Sequence, residues 1–155
     1  MEPTKFDVVF KSFKSKITDD MYMELTPEDT ALLMAELLLS ALFHFEFPRV
    51  NIFDYDMEAQ TFNISLTQEE VNVISTYMIV EWLGQQLASV ENVRMKYSGS
   101  DFKFTSQANH MDKLIKLKKE YERLGFHLQR LYKRRKLDDT GVMRSTFGQI
   151  MEEIK

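Results

Sequence analysis

The sequence predicts a mainly α protein, a helical bundle with long antiparallel helices and a small β-hairpin arm. Three observations predict it. The 155 residues include only five Gly and three Pro, which favours long helices over a many-turned β fold. Apolar residues recur at three- and four-residue steps over four separate stretches, the signature of helices with one buried face. Period-two alternation occurs in one place only, between Pro48 and Thr67. Hydrophobic residues make up 44 %, with twelve Phe, six Tyr and ten Met, enough to build a core for one domain of ordinary size.

The elements follow in order. Phe6, Val9, Phe10, Phe13 and Ile17 mark a short amphipathic helix after Pro3. The acidic, aperiodic segment from Ile17 to Leu25 reads as a loop. In TPED, Thr26 caps, Pro27 suits the first helical position, and Glu28 and Asp29 complement the positive helix end. The helix that follows runs to about Phe45 and is apolar around most of its circumference, so it is expected at the centre of the bundle, buried on several sides. Pro48 ends it, because the residue before a proline resists helical geometry. Val50, Ile52, Phe62, Ile64 and Leu66 then alternate about a polar bend at 54–60, which predicts a hairpin near 50–66.

TQEE at 67–70 is a capping box, with Thr67 as cap and Glu70 at the third helical position. The next helix carries Val71, Ile74, Met78, Trp82, Leu83, Leu87 and Val90 and reaches 93–97. A last long helix begins near Ser106. Leu114, Leu117, Tyr121, Leu124, Leu128 and Leu131 form a coiled-coil-like seam along it. It finishes in LYKRRK, whose cations complement the negative helix end. Residues 1–136 thus read as one helical-bundle domain. Residues 137–155 read as a C-terminal tail that orders on a partner.

Several chemistries find no support in this sequence. Without Cys there is no disulfide, thiolate metal site or thiol nucleophile. DYDMEAQ at 54–60 supplies Asp54, Asp56 and Glu58, but a helix–loop–helix calcium site wants Gly and Glu where Ala59 and Ser65 stand. His44, His110 and His127 form no metal-binding pair, and His44 reads as a core or edge histidine. The five Gly are scattered, so no phosphate-cradling loop forms. No nucleophile elbow is present. We therefore expect no enzyme activity, no cofactor and no metal. The N-terminal stretch lacks the apolar run of a signal peptide, and the longest apolar segment is broken by Glu36, Ser40, His44 and Glu46, so no membrane span is expected.

The net charge of −4 conceals an asymmetry. Residues 1–100 carry 7 Lys/Arg against 16 Asp/Glu, residues 101–136 carry 11 against 4, and residues 137–155 carry 2 against 4. A chain with an acidic body and a basic long helix can meet an oppositely charged neighbour, including another copy of itself. A solvated helix face explains the same imbalance equally well. The loop YSGSDFKFTSQANH between the two long helices holds Phe102 and Phe104, which extended backbone points the same way. They serve either as anchors on another chain or as rings folded back onto this one.

SGSDFKFTSQANHMDKL from Ser98 onward, together with FPRVNIFDYD, FNISLTQEEVNVIS and MIVEWLGQQL before it, resembles small neck proteins of tailed bacteriophages, the head–tail connector or adaptor family. The resemblance covers roughly residues 26–136. It implies a mostly helical, non-catalytic subunit of the virion neck, assembled in the host cytoplasm. It further implies a homo-oligomeric ring, typically of twelve copies, that sits beneath the portal protein and meets the next neck or tail protein. DNA passes through the lumen of such a ring without sequence-specific binding.

On this reading the candidate interface residues are Phe102 and Phe104 in the loop, Arg130, Lys133, Arg134, Arg135 and Lys136 at the basic helix end, and Phe147 in the tail. Two other readings compete. One is a nucleic-acid-binding helical protein that uses residues 113–136. The other is a small regulatory module that binds one partner through the Leu114–Leu131 seam.

Overall fold

A computed structural model of the chain describes residues 2–17, 27–96, 104–137 and 140–145. Four helices and two small hairpins follow in the order α1 (Phe6–Lys16), α2 (Pro27–Leu42), β1 (Tyr55–Asp56), β2 (Thr61–Phe62), α3 (Gln68–Lys96), α4 (Phe104–Arg134), β3 (Arg135–Leu137) and β4 (Met143–Ser145). The mainly α fold with long helices and a small hairpin is as expected. Thr26, the predicted cap of α2, lies outside the described residues, as does the acidic stretch at 18–26.

α3 and α4 run antiparallel. Glu70 meets Tyr132, Tyr77 meets both Gly125 and Gln129, and Gly84 faces Lys118. As the position on α3 rises, its partner on α4 falls. α1 and α2 also pack on α3, which makes α3 the central helix and not α2. Nearly every residue from Val71 to Leu83 is buried, including Ser75 and Thr76 at 0 % exposure. Those two hydroxyls donate to the Asn72 carbonyl of their own helix, and Ser75 also pairs with Ser12 of α1. Small polar side chains that bond their own helix can be buried at little cost. α2, by contrast, leaves Leu32 69 % exposed, and Phe43 just past its end is 79 % exposed. Its inner face alone (Met34, Leu37, Leu38 and Ala41) enters the core.

The seam on α4 also departs from the simple heptad. Leu114, Leu117, Tyr121 and Leu128 face the core, but Leu124 is 41 % exposed. Gly125 takes the inward place beside the Tyr77 ring, and Tyr132 is buried one position beyond Leu131. The seam therefore serves this subunit's own bundle. The helix also begins at Phe104, two residues before the expected start, so Phe104 belongs to α4 and not to the loop.

The capping box forms as its residue types predict. Thr67 N donates to the Glu70 carboxylate at 2.7 Å, and Glu70 N donates to Thr67 Oγ1 at 3.3 Å. Thr67→Ala is expected to lower stability by about 1 kcal/mol, read as a fall in the urea midpoint at constant slope. No change would mean the box contributes nothing.

The β1–β2 pairing is shorter than the alternation suggests, with Tyr55 opposite Phe62 and Asp56 opposite Thr61. The segment before α1 lies along its outer edge. Phe62 N donates to Thr4 O, Phe6 N to Gln60 O and Thr4 N to Ile64 O, all within 2.8 to 2.9 Å. Fully buried Phe6 and Phe62 meet edge to face. This covers an edge that would otherwise invite another strand. A second hairpin, unforeseen in the sequence, pairs Arg135–Leu137 with Met143–Ser145 through a turn with Gly141 at φ +78°. The LYKRRK run therefore leaves the helix after Arg134 and enters β3.

Candidate interaction surface

The exit of α2 builds the surface. After the turn at Phe43 and His44, residues 45–49 cross the C-terminal half of α4. Gln129 holds this crossing from below. Its amide nitrogen donates to the His44 carbonyl and to the Tyr77 hydroxyl, and its amide oxygen accepts from Glu46 N. Above it, Arg49 N donates to the Tyr132 hydroxyl at 2.9 Å, and the Arg49 guanidinium donates to the Tyr132 carbonyl and lies 3.9 Å over its ring. Glu69 carries the network outward to Arg49 and Arg135.

Tyr132 is the centre of this joint. It is 2 % exposed, it meets Phe45 edge to face, and its hydroxyl donates to the buried Glu70 carboxylate at 2.6 Å. Burial pushes its phenol well above the usual tyrosine value of about 10, and the Glu70 bond adds to the shift. Burial also raises Tyr77. The folded state thus holds these protons more tightly than the unfolded chain. The stabilisation is complete below about pH 10 and is lost as pH rises past it. The urea midpoint should fall above that pH, and Tyr132→Phe should flatten the fall. An equally steep fall in the variant would remove Tyr132 from the cause.

Between the crossing and α4 lies a groove lined by Phe45, Phe47, Phe126, Gln129, Arg130 and Lys133, among others. Its floor is apolar and its rim is basic. Lys133 Nζ stands 4.4 Å over the Phe47 ring, and the Arg130 guanidinium is 5.7 Å from that of Phe126. Both rings stay open to solvent, Phe47 at 61 % and Phe126 at 55 %. Phe43 and Phe53 form a second exposed pair with ring centres 5.3 Å apart.

Of the predicted interface residues, Arg130 and Lys133 come together at this groove. Arg135 turns to Glu69 instead, and Arg134 is exposed at the end of α4. Phe102 and Phe147 lie outside the described residues. Phe104 opens α4 and Lys136 sits opposite Arg144 in β3, but their side chains lie outside what is described. Sequence reasoning missed Phe47, Phe126 and Gln129. Phe126 was legible as an aromatic among the charged outer positions of the last helix. Phe47 stood next to Pro48, which the sequence suggested as the helix stop, although α2 already ends at Leu42.

The earlier candidates for chemistry have structural tasks. Asp56 Oδ1 accepts from the backbone of Glu58 and Ala59, and Asp54 accepts from Asn63, so both carboxylates tie the β1–β2 turn. His44 stacks flat on Tyr77 and meets Glu81 at 2.5 Å. Among the described residues no three His or carboxylate groups converge, and no helix is long and apolar enough to cross a membrane.

Fold and surface together define a class: a helical bundle with an open aromatic–basic groove at one helix crossing. No family model matches the chain, and neither a curated protein nor a solved structure matches it.

Proposed function

We propose that this chain is a non-catalytic assembly subunit, and that it acts as a head–tail adaptor in the neck of a tailed bacteriophage. One observation carries the assembly reading. A chain with well-buried Phe6, Phe13, Phe45 and Phe62 leaves Phe43, Phe47, Phe53 and Phe126 exposed. Exposed aromatics beside Arg and Lys are the composition of protein–protein anchors. The adaptor reading adds the sequence resemblance over residues 26–136. In that role copies form a ring beneath the portal, extend the DNA channel, and offer a face to the next neck or tail protein.

The test is native mass spectrometry of the purified chain over a range of concentrations, at two salt levels, with and without duplex DNA. A ring-sized oligomer without DNA is the expected result, and a closed dimer would sink it. Phe126→Ala should weaken subunit association by about 2 kcal/mol, roughly 30-fold. Its melting temperature should stay near wild type, because the ring is half exposed.

A second reading follows from the outer face of α4. Lys113, Lys116, Lys119, Arg123, Arg130 and Lys133 are exposed there at helical steps, over about 30 Å at 1.5 Å per residue. Asp112, Glu120 and Glu122 interrupt the row, and Glu122 pairs with Lys118. If this ridge binds duplex, affinity will fall by about 0.9 log units per log unit of salt for each phosphate neutralised. A monomer with such salt-sensitive complexes in the same experiment would favour this reading over the ring.

A further inference from the structure

The groove and the β1–β2 turn are complementary in chemistry, and both are open. The turn presents Met57, 44 % exposed, between the exposed Asp56 and Glu58. It is stiff for its size. Asp56 closes it through two backbone N–H groups, Gln60 takes up the left-handed conformation at φ 51°, and the base is tied to Thr4–Phe6. A pre-ordered tip loses little freedom on docking. The groove offers Phe47 and Phe126 to a thioether, a favourable sulfur–aromatic pairing. It offers Arg130 and Lys133 to flanking carboxylates. Glu46 also lines it, which leaves the lining positive overall. This subunit's own tip does not fill the groove, since Met57, Phe47 and Phe126 all stay exposed.

We propose that the Asp56–Met57–Glu58 tip of one copy seats in the Phe47–Phe126 groove of the next, with Arg130 and Lys133 holding its carboxylates. The proposal rests on the self-assembly reading above and names its two faces. Two different surfaces meeting head to tail propagate from copy to copy, and they close as a ring where the rotation between neighbours allows it. Such a contact must bury about 1,000 Å² or more to be stable.

The test is complementation. A tip variant, Met57→Ser with Glu58→Lys, keeps the turn-closing Asp56. A groove variant carries Phe47→Ser with Phe126→Ser, which removes the apolar floor without creating a charge partner for the Glu58→Lys tip. All four positions are exposed, and circular dichroism with a melting curve checks that both variants fold. In native mass spectrometry each variant alone should lose the ring and run as a monomer. Mixed, they should form a one-to-one heterodimer that grows no further, because only one intact tip and one intact groove can meet. Rings from either variant alone, or a mixture that stays monomeric, overturn the proposal while a wild-type ring keeps the assembly reading. Wild-type chain that is monomeric at every soluble concentration overturns both.

Discussion

Tyr132→Ala is expected to lower the free energy of unfolding by about 4 kcal/mol or more. Removing a buried aromatic ring costs about 3–5 kcal/mol through lost transfer energy and the cavity left behind. Here the ring also supports the Arg49 guanidinium and the edge of Phe45. The hydroxyl is a separate contribution, because it links the Glu70 carboxylate to Arg49 N. Its loss leaves the buried Glu70, 1 % exposed, with one donor fewer, at about 1–3 kcal/mol. Tyr132→Phe isolates that part. Urea unfolding of the two variants should show both midpoints lowered at similar slopes, with alanine well below phenylalanine. Equal midpoints would mean the ring contributes nothing beyond its hydroxyl. A domain of this size has about 5–15 kcal/mol in all, so the alanine variant should lose a large share of its stability.

Gly125→Ala should destabilise the protein, although alanine is the better helix former by about 1 kcal/mol. A Cβ at Gly125 would lie 2.7 Å from Tyr77 Cζ and 3.0 and 3.1 Å from two further atoms of that ring. The ring has nowhere to go. His44 stacks flat against it and Gln129 bonds its hydroxyl. Overpacking of this kind costs about 1–3 kcal/mol, so after the propensity gain the net loss should be up to about 2 kcal/mol, toward the upper end because three ring atoms stand in the way. The control is a reversal of sign. In a Tyr77→Ala background the obstruction is gone, and Gly125→Ala should then stabilise by up to about 1 kcal/mol. If Gly125→Ala destabilises equally in both backgrounds, close approach to Tyr77 is not the reason for glycine there.

Local signals in the sequence carried far. The TQEE box forms with the expected bonds because all its groups lie within four residues. α1 and the reach of α3 follow from periodicity alone, which is also local, whereas α2 stops at Leu42, three residues short of the expected Phe45 and well before Pro48. Burial of Trp82 and Met78 follows from their helical spacing. The bend at 54–60 was readable as a polar turn, though nothing local announced that Asp56 would close it.

What needed the tertiary structure was the choice among helices and the meeting of distant residues. Composition favours α2 as the centre because Leu and Ala crowd it. α3 takes that place, and it can bury Ser75 and Thr76 because their hydroxyls are satisfied within the bundle. A hydrophobic count treats those residues as surface. The groove joins residues 45–47 to residues 126–133, some 80 positions apart, and no spacing rule reaches that far. Phe47 reads alone as an ordinary apolar residue, and Phe126 as a lone aromatic at an outer helical position. Only the antiparallel register of α3 and α4, with Gln129 bridging both to the α2 exit, sets the two rings at one groove beside Arg130 and Lys133. The chain itself thus determined its helices, caps and turns through contacts within a few residues. The long-range packing decided which faces were left over, because a face is exposed only when no other part of the chain arrives to cover it.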